Sequence, residues 1–213
     1  MIDLLRRQWH ALLSNWAVDS ALADRTFEEV REHYGELGRF YHTLDHVQNV
    51  LQTVEGVGSY ARNLNAVKLA TWLHDVIYDS RASDNEEQSA AYAERLCEQL
   101  SIPEGTRVAF LIRKTKTHDA DGDADAQVLI DADLAILGAS ESDYWIYAEQ
   151  IRREYSWVPE REYWSGRRRV LQSFLEKLRI FHLLCHLEEP ARCNVTAEID
   201  RLEMASIRHE GSS

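Results

Sequence analysis

His74 and Asp75 stand side by side in "ATWLHDVIYDS", residues 70–80, at the end of an otherwise apolar run. Imidazole and carboxylate are both metal-binding groups, so a pair of them where a buried helix should end calls for partners able to reach the same point. His46 precedes the pair in "RFYHTLDHVQNVL", and Asp131 and Asp133 follow it in "LIDADLAILG". A histidine, a His-Asp pair and a distant aspartate on separate helices could converge on one cation. Mixed imidazole and carboxylate ligands favour a divalent transition metal (Mn²⁺, Fe²⁺, Co²⁺, Ni²⁺ or Zn²⁺) over Ca²⁺.

The elements that must position these residues follow a helical apolar period almost throughout, and no segment alternates convincingly enough to be a strand. Ile2, Leu5, Trp9, Leu12, Leu13 and Trp16 form one stripe, and a second helix is expected from Asp19 to Tyr34, stopped by Gly35. Thr43 and Asn65 are expected N-caps for "LDHVQNVLQTV" and "AVKLATWLHDV". Ser83 and Glu86 of "SDNE" match a capping box opening a helix through Leu100, and Pro103 suits the first turn of the next. A polar loop "HDADGDAD" leads to "AQVLIDADLAILG", then "ESDYWIYAEQIRREY", then a long helical segment from Pro159 to His186 and a last piece from about Thr196. The expectation is one all-α helical bundle of about nine or ten helices over residues 1–213, with a motif core near 39–138 and a helical extension over 139–213.

Composition narrows the partners. Of 213 residues, 45% are apolar and 28% charged, ordinary values for a globular chain with a sizeable core. A formal charge of −12 repels phosphate backbones, so no duplex nucleic acid is expected as a partner. No apolar run is long enough for a membrane helix, and "MIDLLRRQWHALL" carries charges through its apolar positions, unlike a signal peptide. Three cysteines without a CxxC pair suit a reducing compartment. These features lead to the expectation of a cytoplasmic protein, with no membrane partner. Trp and Tyr residues in the C-terminal third could form a homodimer surface.

At its candidate ligands the chain resembles the HD superfamily of metal-dependent phosphohydrolases, whose signature is H…HD…D on an all-helical fold. Within it, five islands in order are similar to a small bacterial group: "RFYHTLDH", "WLHDVIYD", "DNEEQSA", "TKTH" and "DADL". The resemblance covers about residues 39–138 and implies chemistry more firmly than substrate. It implies His46, His74, Asp75 and Asp133 as metal ligands, the last because the family pattern is usually A-D-x-L. The islands around these ligands further suggest Arg39, His42 and Lys116 as substrate-binding groups, with His42 able instead to orient Asp45 or cap its helix. His118 is similar to the extra catalytic histidine of HD enzymes, which approaches phosphate or a second metal, and Asp79 or Glu86 could transfer the proton, Glu86 also being the capping-box glutamate. The expected activity is hydrolysis of a phosphate ester or anhydride in a nucleotide or other small phosphorylated substrate. A metal-dependent hydratase or lyase, an HD-type di-iron oxygenase and a non-catalytic nucleotide sensor are the competing readings.

Other signals weaken on inspection. "DADGDADAQVLI" resembles a calcium loop, but Ala124 replaces the expected Gly and Ile130 the terminal Glu, so a solvated acidic loop is expected. "HLLCH" has histidines at i and i+4 but lacks the Glu of H-E-x-x-H, and is expected in a Leu-rich core helix. "EYSWVPEREYWSGRRRVLQSFL" is expected to be a packing face with a solvated basic turn.

Overall fold

The computed structural model describes residues 1–210, so the last three residues of the expected extension lie outside the described residues. All regular elements among the described residues are helices, as the apolar period requires. Ten are α-helices: α1 (Ile2–Leu13), α2 (Ser20–Tyr34), α3 (Leu44–Val57), α4 (Leu64–Leu73), α5 (Asn85–Gln99), α6 (Gly105–Thr115), α7 (Ala124–Leu134), α8 (Glu141–Glu154), α9 (Glu160–Glu176) and α10 (Glu188–Glu210). Packing divides the chain into two compact units, Met1–Asp133 and a second from Leu134 onward.

In the first unit α4 is the central element. Ala66, Val67, Leu69, Ala70, Thr71, Trp72 and Leu73 are all buried, and only the side bearing Asn65 and Lys68 is partly open, so the helix is enclosed over most of its circumference rather than on one stripe. It packs against α1, α3, α5 and α6. Trp72 meets Trp9 edge-on at 5.2 Å and Phe27 at 6.2 Å, which anchors it to the α1–α2 hairpin. Asp19, the expected start of the second helix, is the N-cap of α2, its carboxylate accepting from the amides of Ala21 and Leu22.

Several expected boundaries move. The cap of α4 is Asn63, whose Oδ1 accepts from the Ala66 amide, rather than Asn65. Thr43 occupies the N-cap position of α3 but makes no side-chain capping bond. Asp84, not Ser83, precedes α5, so the Ser83–Glu86 capping box does not form. The acidic loop is solvated only in part. Arg107 binds Asp123 through both Nη atoms (2.9 and 2.6 Å) and reaches Asp125 at 2.6 Å. Buried Asp125 also accepts from the amides of Arg62 and Asn63, tying the start of α7 to the start of α4.

In the second unit α9 and α10 pack together, and the 3₁₀ turn Ala135–Gly138 lies against α10 and α8. A Cβ on Gly138 would come within 2.6 Å of Leu187 Cβ and 2.8 Å of its carbonyl oxygen, so this approach requires glycine. Tyr163, Arg167, Leu171 and Phe174 form the buried stripe of α9. Arg167 therefore leaves the expected solvated turn and makes a two-pronged bond to buried Glu198 (2.9 and 3.0 Å), which also accepts from Tyr144 Oη at 2.6 Å. The expected helix from Pro159 to His186 ends at Glu176, and α10 begins at Glu188, well before Thr196. "HLLCH" lies in the intervening irregular and 3₁₀ segment, so its i,i+4 spacing puts no two histidines on one helix face.

Candidate metal centre

The centre is built where α4 stops. His74 is the residue after its last helical position, and Asp75 follows in the turn. The freed carbonyls of this helix end find partners both nearby and from another element. Tyr34 Oη donates to Trp72 O at 3.0 Å, and the Val76 amide donates to Leu73 O at 3.3 Å. His74 Nδ1 lies 2.9 Å from Thr71 O. A carbonyl can only accept, so Nδ1 carries a proton and Nε2 is directed at the centre.

At that point His74 Nε2 lies 3.1 Å from Nε2 of His46, on α3. Asp75 Oδ2 is 3.0 Å from His74 Nε2 and 3.7 Å from His46 Nε2. Asp133, near the end of α7, places Oδ1 3.2 Å from His46 Nε2 and 3.5 Å from His74 Nε2. His46 and His74 are 4% and 1% exposed. The ligand atoms of His46, His74 and Asp75 lie within 4.8 Å of one another, and this group could hold a metal ion.

The spacing suits a shared cation. Two donors about 2.1 Å from one ion and at right angles stand about 3.0 Å apart, and tetrahedral donors somewhat farther. Protonation follows the same logic. Burial alone would raise the Asp75 carboxyl, but His74, His42 and His46 outweigh it and hold it far below the carboxylate range. Burial likewise opposes ionisation of Asp133, yet His118, His46 and His74 hold it well below its ordinary value. Burial also disfavours a charged His74, but Asp75 and Asp133 prevail and raise it well above an ordinary histidine. At His46 burial wins and lowers it. Two carboxylates held ionised and two imidazoles thus face one point, a set of donors that a divalent cation could share.

The remaining expected site residues divide. His42 Nε2 approaches Asp75 Oδ2 at 4.0 Å and its ring stacks on Tyr78 with centroids 4.1 Å apart. His118 Nε2 is 3.6 Å from Asp133 Oδ2, on a residue with left-handed backbone (φ 50°) just beyond α6. Both adjoin the ligand cluster. Arg39 serves the backbone instead: it donates to Asp75 O (2.6 Å) and Val76 O (2.9 Å) and pairs with Glu36 at 3.1 Å. Its guanidinium lies over the Tyr34 and Tyr78 rings and its side chain is 2% exposed, directed at the His-Asp turn. Lys116 Nζ donates to Ser83 O at 2.6 Å and stands 3.8 Å from Glu86. Asp79 is exposed and braces its own turn, accepting from the Arg81 amide. Asp131 is fully buried.

No family model, curated protein or solved structure matches the chain.

Sequence reasoning missed the residues that act through backbone. Thr71 lends a carbonyl to His74, Tyr34 caps α4, and Asn85 and Ser89 grip the segment after Asp75. A signal for the last pair was present, because Asn85 and Ser89 are four apart and share one face of α5. For Thr71 none was, since any residue supplies a carbonyl.

Proposed function

We propose that this chain is a metal-dependent phosphohydrolase acting on a phosphate ester or anhydride of a nucleotide or small phosphorylated metabolite. The observation that carries it is the convergence of two buried imidazole Nε2 atoms, 3.1 Å apart, with carboxylate oxygens of Asp75 and Asp133 at 3.0–3.7 Å. The resemblance of five sequence islands to HD enzymes supplies the reaction class.

His46, His74, Asp75 and Asp133 would hold a divalent transition ion of the Mn²⁺ to Zn²⁺ series. Such an ion supplies Lewis acidity to a phosphoryl group and lowers the pKa of water. The chain's own groups do the rest. His74 is fixed in one tautomer by Thr71, so its Nε2 is already directed before any ligand arrives. His118, beside Asp133 Oδ2, can hand a proton to a departing oxygen or take one from an entering water. His42, next to Asp75 and braced by Tyr78, can hydrogen-bond a phosphate oxygen. Arg39 maintains the turn that carries Asp75.

The test is turnover. Protein supplied in turn with Mn²⁺, Co²⁺, Ni²⁺ and Mg²⁺ should release phosphate or a phosphomonoester from at least one member of a panel of nucleotides and sugar phosphates, and Asp75→Ala should abolish it. Ligand binding without turnover would favour the sensor, oxygen consumption the oxygenase, and water addition or elimination the hydratase or lyase.

A further inference from the structure

The residues after the His-Asp pair have no helical ladder of their own, yet their backbone is held. Ile77 N–H donates to Ser89 Oγ at 3.1 Å, and the Ser89 hydroxyl donates back to Ile77 O at 3.1 Å. Asp79 N–H donates to Asn85 Oδ1 at 3.0 Å, and Asn85 Nδ2 donates to Asp79 O at 2.9 Å. Each side chain serves both polar groups of one residue, using a hydroxyl and an amide that can donate and accept together. Asn85 and Ser89 lie one helical turn apart on α5, while Ile77 and Asp79 are alternate residues of the irregular stretch that follows the His-Asp turn. One face of a helix thus does the work of a neighbouring strand.

The frame behind this face is firm. α5 packs closely on α6, and Arg113 of α6 binds Glu87 (2.7 and 2.8 Å) and Glu94 (3.3 Å) of α5. Ser89 is fully buried, so water cannot substitute for it. With Arg39 on the carbonyls of Asp75 and Val76, side chains from elsewhere hold the backbone at Asp75, Val76, Ile77 and Asp79. Nothing in this template touches His74, whose ring is fixed separately through Thr71.

We infer that Asn85 and Ser89 are positioning residues for the Asp75 carboxylate, and that through it they set the affinity of the centre for its cation. The inference rests on the metal-centre reading. A carboxylate on an unrestrained turn must be ordered when the ion binds; one held in advance has that cost removed.

Co²⁺ titration of the full chain, followed by its visible absorption and by competition with a chelator, tests this. Ser89→Ala and Asn85→Ala should bind Co²⁺ about 10- to 100-fold more weakly than the parent, the usual effect of losing an outer partner of a ligand. The visible bands should shift as the Asp75 contact changes. Asn85→Asp, which keeps an acceptor for the Asp79 amide but loses the donor to its carbonyl, should fall between parent and Asn85→Ala. Far-UV circular dichroism should stay unchanged. Leu96→Ala, a buried apolar change on the same helix, should lower the thermal midpoint yet leave the Co²⁺ spectrum as in the parent. If Ser89→Ala fails to fold, the two Asn85 variants decide the matter. Parent-like affinity and spectrum in Asn85→Ala would overturn the positioning role while leaving the metal reading intact. Absence of Co²⁺ binding by the parent would overturn that reading and the inference together.

Discussion

Each ligand candidate is a residue that burial should exclude. His46 and His74 are almost fully enclosed, and Asp75 and Asp133 have side chains only 16% and 15% exposed. Such groups are tolerated only when something satisfies them, and here they satisfy one another around a common point. That is why His46 and the His-Asp pair were conspicuous in the sequence, as metal-binding residues inside apolar helices, whereas Asp133 was separated from Asp131 in the same helix only by the family pattern. The choice between the aspartates of "DADL" has a direct consequence. Asp133 reaches both imidazoles whereas Asp131 is enclosed in α7, so Asp133→Ala should lose bound metal while Asp131→Ala should retain it and lose stability. Elemental analysis after dialysis, with a thermal melt of each variant, separates the two. Metal loss confined to Asp131→Ala would move the ligand by two residues.

Among the elements, several locally set limits were legible, although the caps of α4 and α5 were displaced by one or two residues, and limits set from afar were not. Asp19, Gly35 and the apolar stripe of α1 act on their own neighbourhood. The end of α9 is different, because its apolar pattern continues past Glu176. Arg192 of α10 donates to Leu175 O (3.1 Å) and Lys177 O (2.8 Å), taking carbonyls at the helix end. Glu188 accepts from the amides of Ile180 (2.9 Å) and Phe181 (3.1 Å) and from Arg192 Nε (2.8 Å), fixing the connection. Both partners come from the following helix, so no local window contains the stop. Burial would raise the Glu188 carboxyl, but these donors outweigh it and hold it below the ordinary glutamate value. A depressed carboxyl stabilises the fold above its unfolded pKa and ceases to do so as pH falls through the folded value. Glu188→Gln should therefore cost about 1–2 kcal/mol at neutral pH. The difference from the parent should shrink below about pH 4, where the unfolded carboxyl protonates. Urea melts at several pH values would show it; a pH-independent difference would mean that the charge contributes nothing.

Taken whole, the chain is acidic, with a formal charge of −12, and has no helix long and apolar enough to cross a membrane among the described residues. Its candidate centre joins the end of α4, the first turn of α3 and the end of α7, so an ion bound there would cross-link three helices of the first unit. Ligand that binds only the folded state stabilises it by mass action, by about 2.7 kcal/mol at a hundredfold excess over Kd. Added Mn²⁺ or Co²⁺ should raise the thermal midpoint of the parent in a concentration-dependent way, and a chelator should reverse it; an unmoved midpoint would argue against a site linking these helices. The most direct test of the central claim is metal stoichiometry in the parent and in His74→Ala. After equilibration with Co²⁺ and exhaustive dialysis, the parent should retain close to one equivalent per chain. His74→Ala should retain almost none, because it removes the one imidazole already aimed at the centre by Thr71. Equal retention in both proteins, or none in the parent, would contradict the account.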